Sequence, residues 1–376
     1  MPRLDDVCAI TMGQSPDSST YNKECNGLPF FQGNADFGES HPSVRMWCSE
    51  PSKIARENDI LISVRAPIGA LNIANCECCI GRGLAALTVN NDICTREYLW
   101  YALSSKIDEL NSKGTGSTFK AVNKSTLSET EIPLPPLDEQ RHIAATLDKV
   151  SDLISKRRQQ LDKLDELVKA RFVEMFGDPV SNPYDWNLRG LLQLGDCKNG
   201  MNFHSTDIGV NVHCLGVGDF KNLSCISDTS KLPTVSLTGM PSDEYMLKDG
   251  DIVFVRSNGN KALVGRSLVV YPATTPTTFS GFCIRFRLHC DEVKADYLLR
   301  VLKTDSIRKK MAGRGANIQN LNQKILEELQ IPVPPLDLQN QYTGFVEKKK
   351  KTKVTISHSL EKLETLKKAL MQEYFN

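Results

Sequence analysis

Residues 132–140 read IPLPPLDEQ, and residues 331–339 read IPVPPLDLQ, with two of the nine positions changed. The echo runs outward in both directions at one constant offset of 199. Upstream, Gly114, Gly116, Asn123 and Leu127 return as Gly313, Gly315, Asn322 and Leu326. Downstream, Leu161, Leu164, Leu167 and Ala170 return as Leu360, Leu363, Leu366 and Ala369. The chain is one unit written twice, which constrains the fold more than any local pattern. The period is too long for a solenoid. It implies two similar halves, each a domain followed by a helix, and a pseudo-symmetric molecule facing a bipartite target.

With 376 residues the chain has room for about two domains. A hydrophobic content of 40% is enough to build true cores. The net charge is only +1, so a nucleic-acid role needs local basic patches or basic partners. No run of apolar residues is long enough to span a bilayer, and no secretory pattern opens the chain, so the expected location is the cytoplasm. The 12 cysteines are scattered, and only Cys76, Cys78 and Cys79 cluster. No CxxC pair recurs at zinc-like spacing, and the His213-Cys214 and His289-Cys290 steps are isolated. Reduced thiols that bind no metal are expected.

Each half begins with a segment of mixed character. Asp59-Ile-Leu-Ile-Ser-Val-Arg65 is answered by Asp251-Ile-Val-Phe-Val-Arg256, two β-branched runs with an arginine at the exit. Gly33-Asn-Ala-Asp-Phe37 is answered by Gly216-Val-Gly-Asp-Phe220, and Glu97-Tyr-Leu99 by Asp296-Tyr-Leu298. Frequent Gly and Pro between these runs predict an irregular α+β domain with a mixed, curved sheet and short helices.

The texture then changes. Residues 138–176 contain neither Pro nor Gly. Ile143, Leu147, Val150, Ile154, Leu161, Leu164, Val168 and Met175 recur at three- and four-residue steps, with Arg157 as one polar position. This is a heptad seam. Pro135 and Pro136 precede it, Asp138 and Glu139 occupy its first turn, and Gly177-Asp-Pro179 stops it. The second copy runs from about Asp337 to Phe375, with Leu338, Tyr342, Phe345, Ile356, Leu360, Leu363 and Leu370 on its seam. Neither helix can bury such a seam alone. Two copies related by a twofold would pack antiparallel as a coiled coil.

No motif points to catalysis. There is no GxGxxG after a strand and no GxxxxGK[ST]. The Pro135-Pro136 and Pro334-Pro335 steps introduce helices, and neither belongs to an Asn/Asp-Pro-Pro-aromatic motif of the kind that holds a flipped base. Glu347 and Lys349 have a nuclease-like spacing but fall inside a predicted helix. None of the six histidines belongs to a recognisable nucleophile motif.

Some loops suit nucleic acid. Lys113-Gly-Thr-Gly-Ser-Thr-Phe-Lys120 and its copy Ala312-Gly-Arg-Gly-Ala-Asn-Ile-Gln319 keep the glycine spacing while changing the side chains. Glycines let a backbone approach a phosphate. Thr115, Ser117, Thr118, Lys120, Arg314, Asn317 and Gln319 are residue types that contact phosphates and base edges. A plain glycine turn is the competing reading. Arg65, and Arg256 with Asn258 and Lys261, follow the repeated strands and form a second candidate, against a simple surface hairpin. The run Lys348–Lys351 with Lys353 reads either as a solvated helix face or as a contact with DNA or an acidic partner.

Three segments carry a family resemblance: Ile132-Pro-Leu-Pro-Pro-Leu-Asp-Glu-Gln140, Asp59-Ile-Leu-Ile-Ser-Val-Arg65 and Glu174-Met-Phe-Gly-Asp-Pro179. Over its whole length the chain resembles the specificity subunit of Type I restriction-modification systems. It departs at Asp337-Leu-Gln339, where an acidic residue usually precedes the glutamine.

The resemblance implies a target-recognition domain over 1–134, a central spacer helix over 135–177, a second recognition domain over 178–333 and a distal spacer helix over 334–376. Each recognition domain would read one half of an interrupted double-stranded DNA site, and the helices would set the gap. The chain would have no catalytic residues, metal or cofactor of its own. Two methyltransferase subunits would supply S-adenosylmethionine chemistry. Two restriction subunits, if present, would use ATP and Mg. The rival expectations are a two-domain scaffold or adaptor joined by a coiled coil, and, more remotely, a self-contained nuclease or methyltransferase.

Overall fold

The computed structural model describes residues 1–114, 120–203, 208–221, 223–311 and 320–375. The chain divides into two compact units. The first is Met1–Gln159 with Ser357–Asn376, and the second is Gln160–Ile356. Both are mixed α/β, and each gathers a segment of both long helices.

In the first unit an antiparallel sheet runs in the order Cys8–Met12, Leu84–Val89, Ile60–Ser63, Leu71–Ile73. All four residues of Ile60–Ser63 are buried, as a short apolar run at the centre of a sheet should be. A second sheet contains the parallel pair Leu28–Phe31 and Cys78–Ile80. In the second unit the order Gly195–Asn199, Cys283–Leu288, Asp251–Val255, Ser267–Val270, Cys225–Ile226 repeats the plan with an added edge strand. The registers correspond, since Ile60 faces Leu87 where Ile252 faces Phe286.

The repeat is visible atom by atom. The buried Gln140 side chain accepts the Thr95 N–H at 2.9 Å and donates to the Ile93 and Pro135 carbonyls at 2.9 and 2.8 Å. Gln339, equally buried, accepts the Lys294 N–H at 2.9 Å and donates to the Glu292 and Pro334 carbonyls at 2.9 and 2.8 Å. Each amide satisfies three backbone groups where a helix start meets the loop before a short helix. The Tyr98 hydroxyl donates to Pro133 O at 2.8 Å, and that of Tyr297 to Pro332 O at 2.9 Å. Asn123 and Asn322 cap short helices through the Thr126 and Ile325 N–H groups, both at 2.9 Å.

The central helix is Leu137–Phe176 and the distal helix is Leu336–Phe375, each 40 residues and therefore about 60 Å long. In the first unit Leu370 and Tyr374 pack into the core containing Ile143 and Leu147, while Arg158 pairs with Glu364 at 2.7 Å. Numbering thus rises along one segment as it falls along the other. The second unit repeats this: the Tyr342 hydroxyl reaches Val168 O at 3.5 Å, and Lys353 pairs with Asp165 at 2.7 Å. Of the expected seam residues, Ile143, Leu147, Val150 and Ile154 are buried, while Leu161, Leu164, Val168, Phe345, Ile356, Leu360, Leu363 and Leu370 are half-buried. Aromatic residues near the helix ends do the closing. Phe172 and Phe176 pack with Tyr297 and Tyr342 in the second core, and Phe375 enters the first.

Candidate nucleic-acid interface

The strand Ile60–Ser63 leads straight into the first candidate segment. The Ser63 hydroxyl bonds the carbonyls of Arg65 and Pro67 at 2.8 and 2.9 Å, tying down the chain that turns away from the sheet. Val122 N–H donates to Val64 O at 2.9 Å, and Arg65 forms a lone β-bridge with Ala121. Arg65 and Lys120 are thereby set on adjacent strands of backbone, and both side chains are exposed. Gly114 opens the intervening loop against Ile68, whose Cδ1 would stand 2.8 Å from any added Cβ. Thr115, Ser117 and Thr118 lie outside the described residues.

The second unit builds the same junction. Leu321 N–H donates to Arg256 O at 2.7 Å, and Ser257 bridges Asn320. This register corrects the sequence reading of the two arginines. Asp59 matches Asp251 and Val64 matches Arg256, so the residue equivalent to Arg65 is Ser257. The apparent match of Arg65 with Arg256 arose because the second run is one residue shorter. Arg256 is half-buried and donates to Gly281 O at 3.3 Å, a bond that orients its side chain. Asn258 accepts the Asn260 N–H at 2.8 Å, and Asn260 in turn accepts the Ala262 N–H at 3.0 Å, so alternate side chains shape this loop. Lys261 opens the short helical turn Lys261–Leu263. Arg314, Asn317 and Gln319 lie outside the described residues.

Both units therefore place the strand-exit segment beside the end of the glycine loop. The backbone frame is common and the exposed side chains differ. Such an edge can present donors to phosphates and base edges.

The basic run on the distal helix is largely engaged within the second unit. Lys353 holds Asp165, Lys350 lies 3.5 Å from Asp296, and the Lys349 ammonium sits 5.2 Å from the Phe345 ring centre. Lys348 and Lys351 are exposed. Among the described residues no group of three or more His, Cys, Asp and Glu side chains could hold a metal ion. All 12 cysteines are free thiols. Cys78 and Cys79 are buried, and burial pushes the Cys78 thiol up to about 12. No described helix is long and apolar enough to cross a membrane.

Residues 1–165 and 218–368 match the family described as the Type I restriction modification DNA specificity domain. Over 160 residues the chain is 44% identical to a Methanocaldococcus jannaschii protein assigned as the type I restriction enzyme MjaX specificity subunit. That match covers 43% of this chain but only 38% of the relative's own length. The MjaVIII specificity subunit of the same organism is 25% identical over 339 residues, covering 83% of this chain and 79% of the relative. The crystal structure of the S subunit of a Type I restriction-modification system from M. genitalium aligns with all of this chain and 95% of its own, with a TM-score of 0.59 at 17% identity. That likeness concerns the fold alone. Taken with the duplicated frame, the family match establishes that this chain belongs to the Type I restriction modification DNA specificity domain family.

Proposed function

We propose that this chain is the DNA specificity subunit of a Type I restriction-modification complex. Each reader, residues 1–134 and 178–333, recognises one half of a bipartite, interrupted duplex site. The spacer segments 135–177 and 334–376 form an antiparallel coiled coil on a pseudo-twofold and set the gap between half-sites. Two methyltransferase subunits dock on the chain and methylate adenine with S-adenosylmethionine. Restriction subunits, where present, add ATP- and Mg-dependent cleavage. The chain supplies recognition and no chemistry of its own, and it works in the cytoplasm, where its free thiols stay reduced.

One observation carries this reading. Two registers of the same backbone, locked by Gln140 in one unit and Gln339 in the other, present different side chains at matched positions, Arg65 in one and Ser257 in the other. A fixed frame with exchangeable contacts suits reading two unlike half-sites. The test is selection of bound duplexes from a random pool by the chain with its methyltransferase partner. Enrichment of two unlike half-sites at a fixed gap supports the reading, and enrichment of none removes it.

A further inference from the structure

The second unit holds a cleft that the DNA-reading proposal does not use. It lies between the helix Ala295–Leu302 and facing parts of both long helices, with a volume of about 370 Å³. Lys169, Arg300, Lys303, Lys350 and Lys353 line it, against only Asp165 and Asp296 as carboxylates. Asp165 is taken by Lys353, and Asp296 is shared between Lys350 and the Tyr271 hydroxyl. Arg300 and Lys303 are left without a carboxylate among these.

Their donors are not exhausted. Arg300 Nε is buried and meets no acceptor among the described residues. Lys303 donates to Leu223 O at 3.1 Å and Ser224 Oγ at 2.6 Å, which leaves one of its three N–H bonds. Lys303 also borders a second cavity of about 190 Å³, together with Lys221 and Arg266. Burial, reinforced by Arg300, Arg266 and Arg308, pulls its ammonium down to about 8. Concentrating like charges in a cleft is costly unless an anion joins them.

The first unit shows that the fold does not require this arrangement. At the constant offset of 199, Arg300 replaces Tyr101 and Lys303 replaces Ser104. There the Tyr101 hydroxyl donates to Asp148 at 2.7 Å, the Lys367 ammonium stands 5.7 Å from the Tyr101 ring centre, and Tyr101 borders a cavity of about 230 Å³ lined also by Glu39, Glu97 and Asp148, with Arg96 as a cation. The first unit therefore holds an aromatic and a hydroxyl residue where the second holds the Arg300–Lys303 pair.

We propose that the second unit's cleft is a phosphate-binding site, with Arg300 and Lys303 as its principal donors. Guanidinium and ammonium groups paired in a partly enclosed cavity suit a multiply charged tetrahedral oxyanion, and the volume accommodates a phosphate bearing a small substituent. The phosphate could belong to a free nucleotide or to a DNA backbone, and the two are separable by experiment.

The intact chain is titrated with inorganic phosphate, with ATP and with duplex DNA, each against chloride of equal ionic strength, and binding is read by calorimetry and thermal shift. Saturable binding of inorganic phosphate is expected, weakened about tenfold or more by Lys303→Gln or Arg300→Gln and unchanged by Lys351→Gln. Tighter binding of ATP than of phosphate identifies a free nucleotide as the source. A salt dependence of duplex binding that falls by about one phosphate contact in Lys303→Gln identifies the DNA backbone. A wild-type response no greater than that to chloride overturns the site, as does equal binding by properly melting Lys303→Gln and Arg300→Gln chains. If a variant does not fold, the wild-type titration decides alone. The phosphate arm needs no DNA recognition, so it can fail or succeed independently of the specificity reading.

Discussion

The ring of Phe375 lies 5.3 Å from that of Tyr98, and the planes are tilted by 44°. At the same offset of 199, Phe176 lies 4.9 Å from Tyr297 at 67°. The pairs are crossed. The last aromatic of the distal helix completes the core of the first unit, and the last aromatic of the central helix completes that of the second. Each unit thus borrows the end of the helix belonging to the other repeat. This exchange is the strongest structural trace of the duplication.

Truncating either ring removes a fully buried side chain from a packed core. Phe375→Ala and Phe176→Ala are each expected to cost about 3–5 kcal/mol of stability. Denaturant unfolding followed by fluorescence checks this. A loss below about 1 kcal/mol would show that the helix ends do not close the cores.

Gln140 and Gln339 should behave alike. Replacement by Leu leaves three backbone groups without their partner in each case, at about 1–3 kcal/mol for each group that water does not reach. They share no partner, so the double variant should be additive within about 0.5 kcal/mol. Melting curves of the two single variants and the double variant test both statements.

The two strand-exit arginines should separate. Arg65→Ala and Lys120→Ala remove exposed side chains, so DNA affinity should fall while the melting temperature stays put. If Arg65 reads a base, discrimination at one position relaxes by about 1–3 kcal/mol; if it holds a phosphate, the loss is uniform and the salt slope shallower. Arg256→Ala also breaks the bond to Gly281 O, and should lower stability together with affinity. Identical behaviour of all three would mean that the register difference has no functional consequence.

Stability should fall as pH rises above about 8.5. Burial pushes the thiols of Cys8, Cys78, Cys94, Cys197, Cys214 and Cys283 up to about 12, against about 8.5 in an unfolded chain. Between these values the folded state binds more protons, so the slope of stability against pH is negative. Lys303, pulled down to about 8, and Lys367, lowered by burial, act oppositely, but they are two groups against six. Melting temperatures in reductant from pH 7 to pH 10.5 should decline, and a flat profile would contradict the burial of the thiols. In the native chain at neutral pH, with the reductant removed, a thiol reagent should label Cys25 first, because it alone is exposed.

The duplication was legible because it is a property of residue order, and so were the long helices, whose starts, stops and seam follow from Pro, Gly and heptad spacing. Of the closing aromatics, Tyr342 is marked by the seam pattern, while Phe172, Phe176 and Phe375 are not. Phe172 and Phe176 continue the seam's spacing of four beyond Val168, but the pattern says nothing of their meeting Tyr297 and Tyr342 from elsewhere in the chain. Glycine loops and strand exits could be named from composition. Their adjacency depends on the Arg65–Ala121 and Ser257–Asn320 bridges, which are non-local. The Arg65–Arg256 match failed because identity of letters outweighed a one-residue difference in length, which only sheet register resolves. The cationic cleft was invisible because Arg300 and Lys303 lie far in sequence from Lys169 and from Lys350 and Lys353, and each is individually ordinary.

The proposed function requires this chain to dictate an interrupted DNA target to a methyltransferase. The direct measurement is methylome sequencing of a host expressing the partner methyltransferase with and without this chain. One new motif is expected, with two unlike half-sites, methylated adenine in each half and a fixed gap, present only with the chain. One heptad inserted after Leu161 and one after Leu360 should lengthen the gap and leave both half-site sequences unchanged. No chain-dependent methylation, a continuous motif, or an altered half-site at an unaltered gap would contradict it.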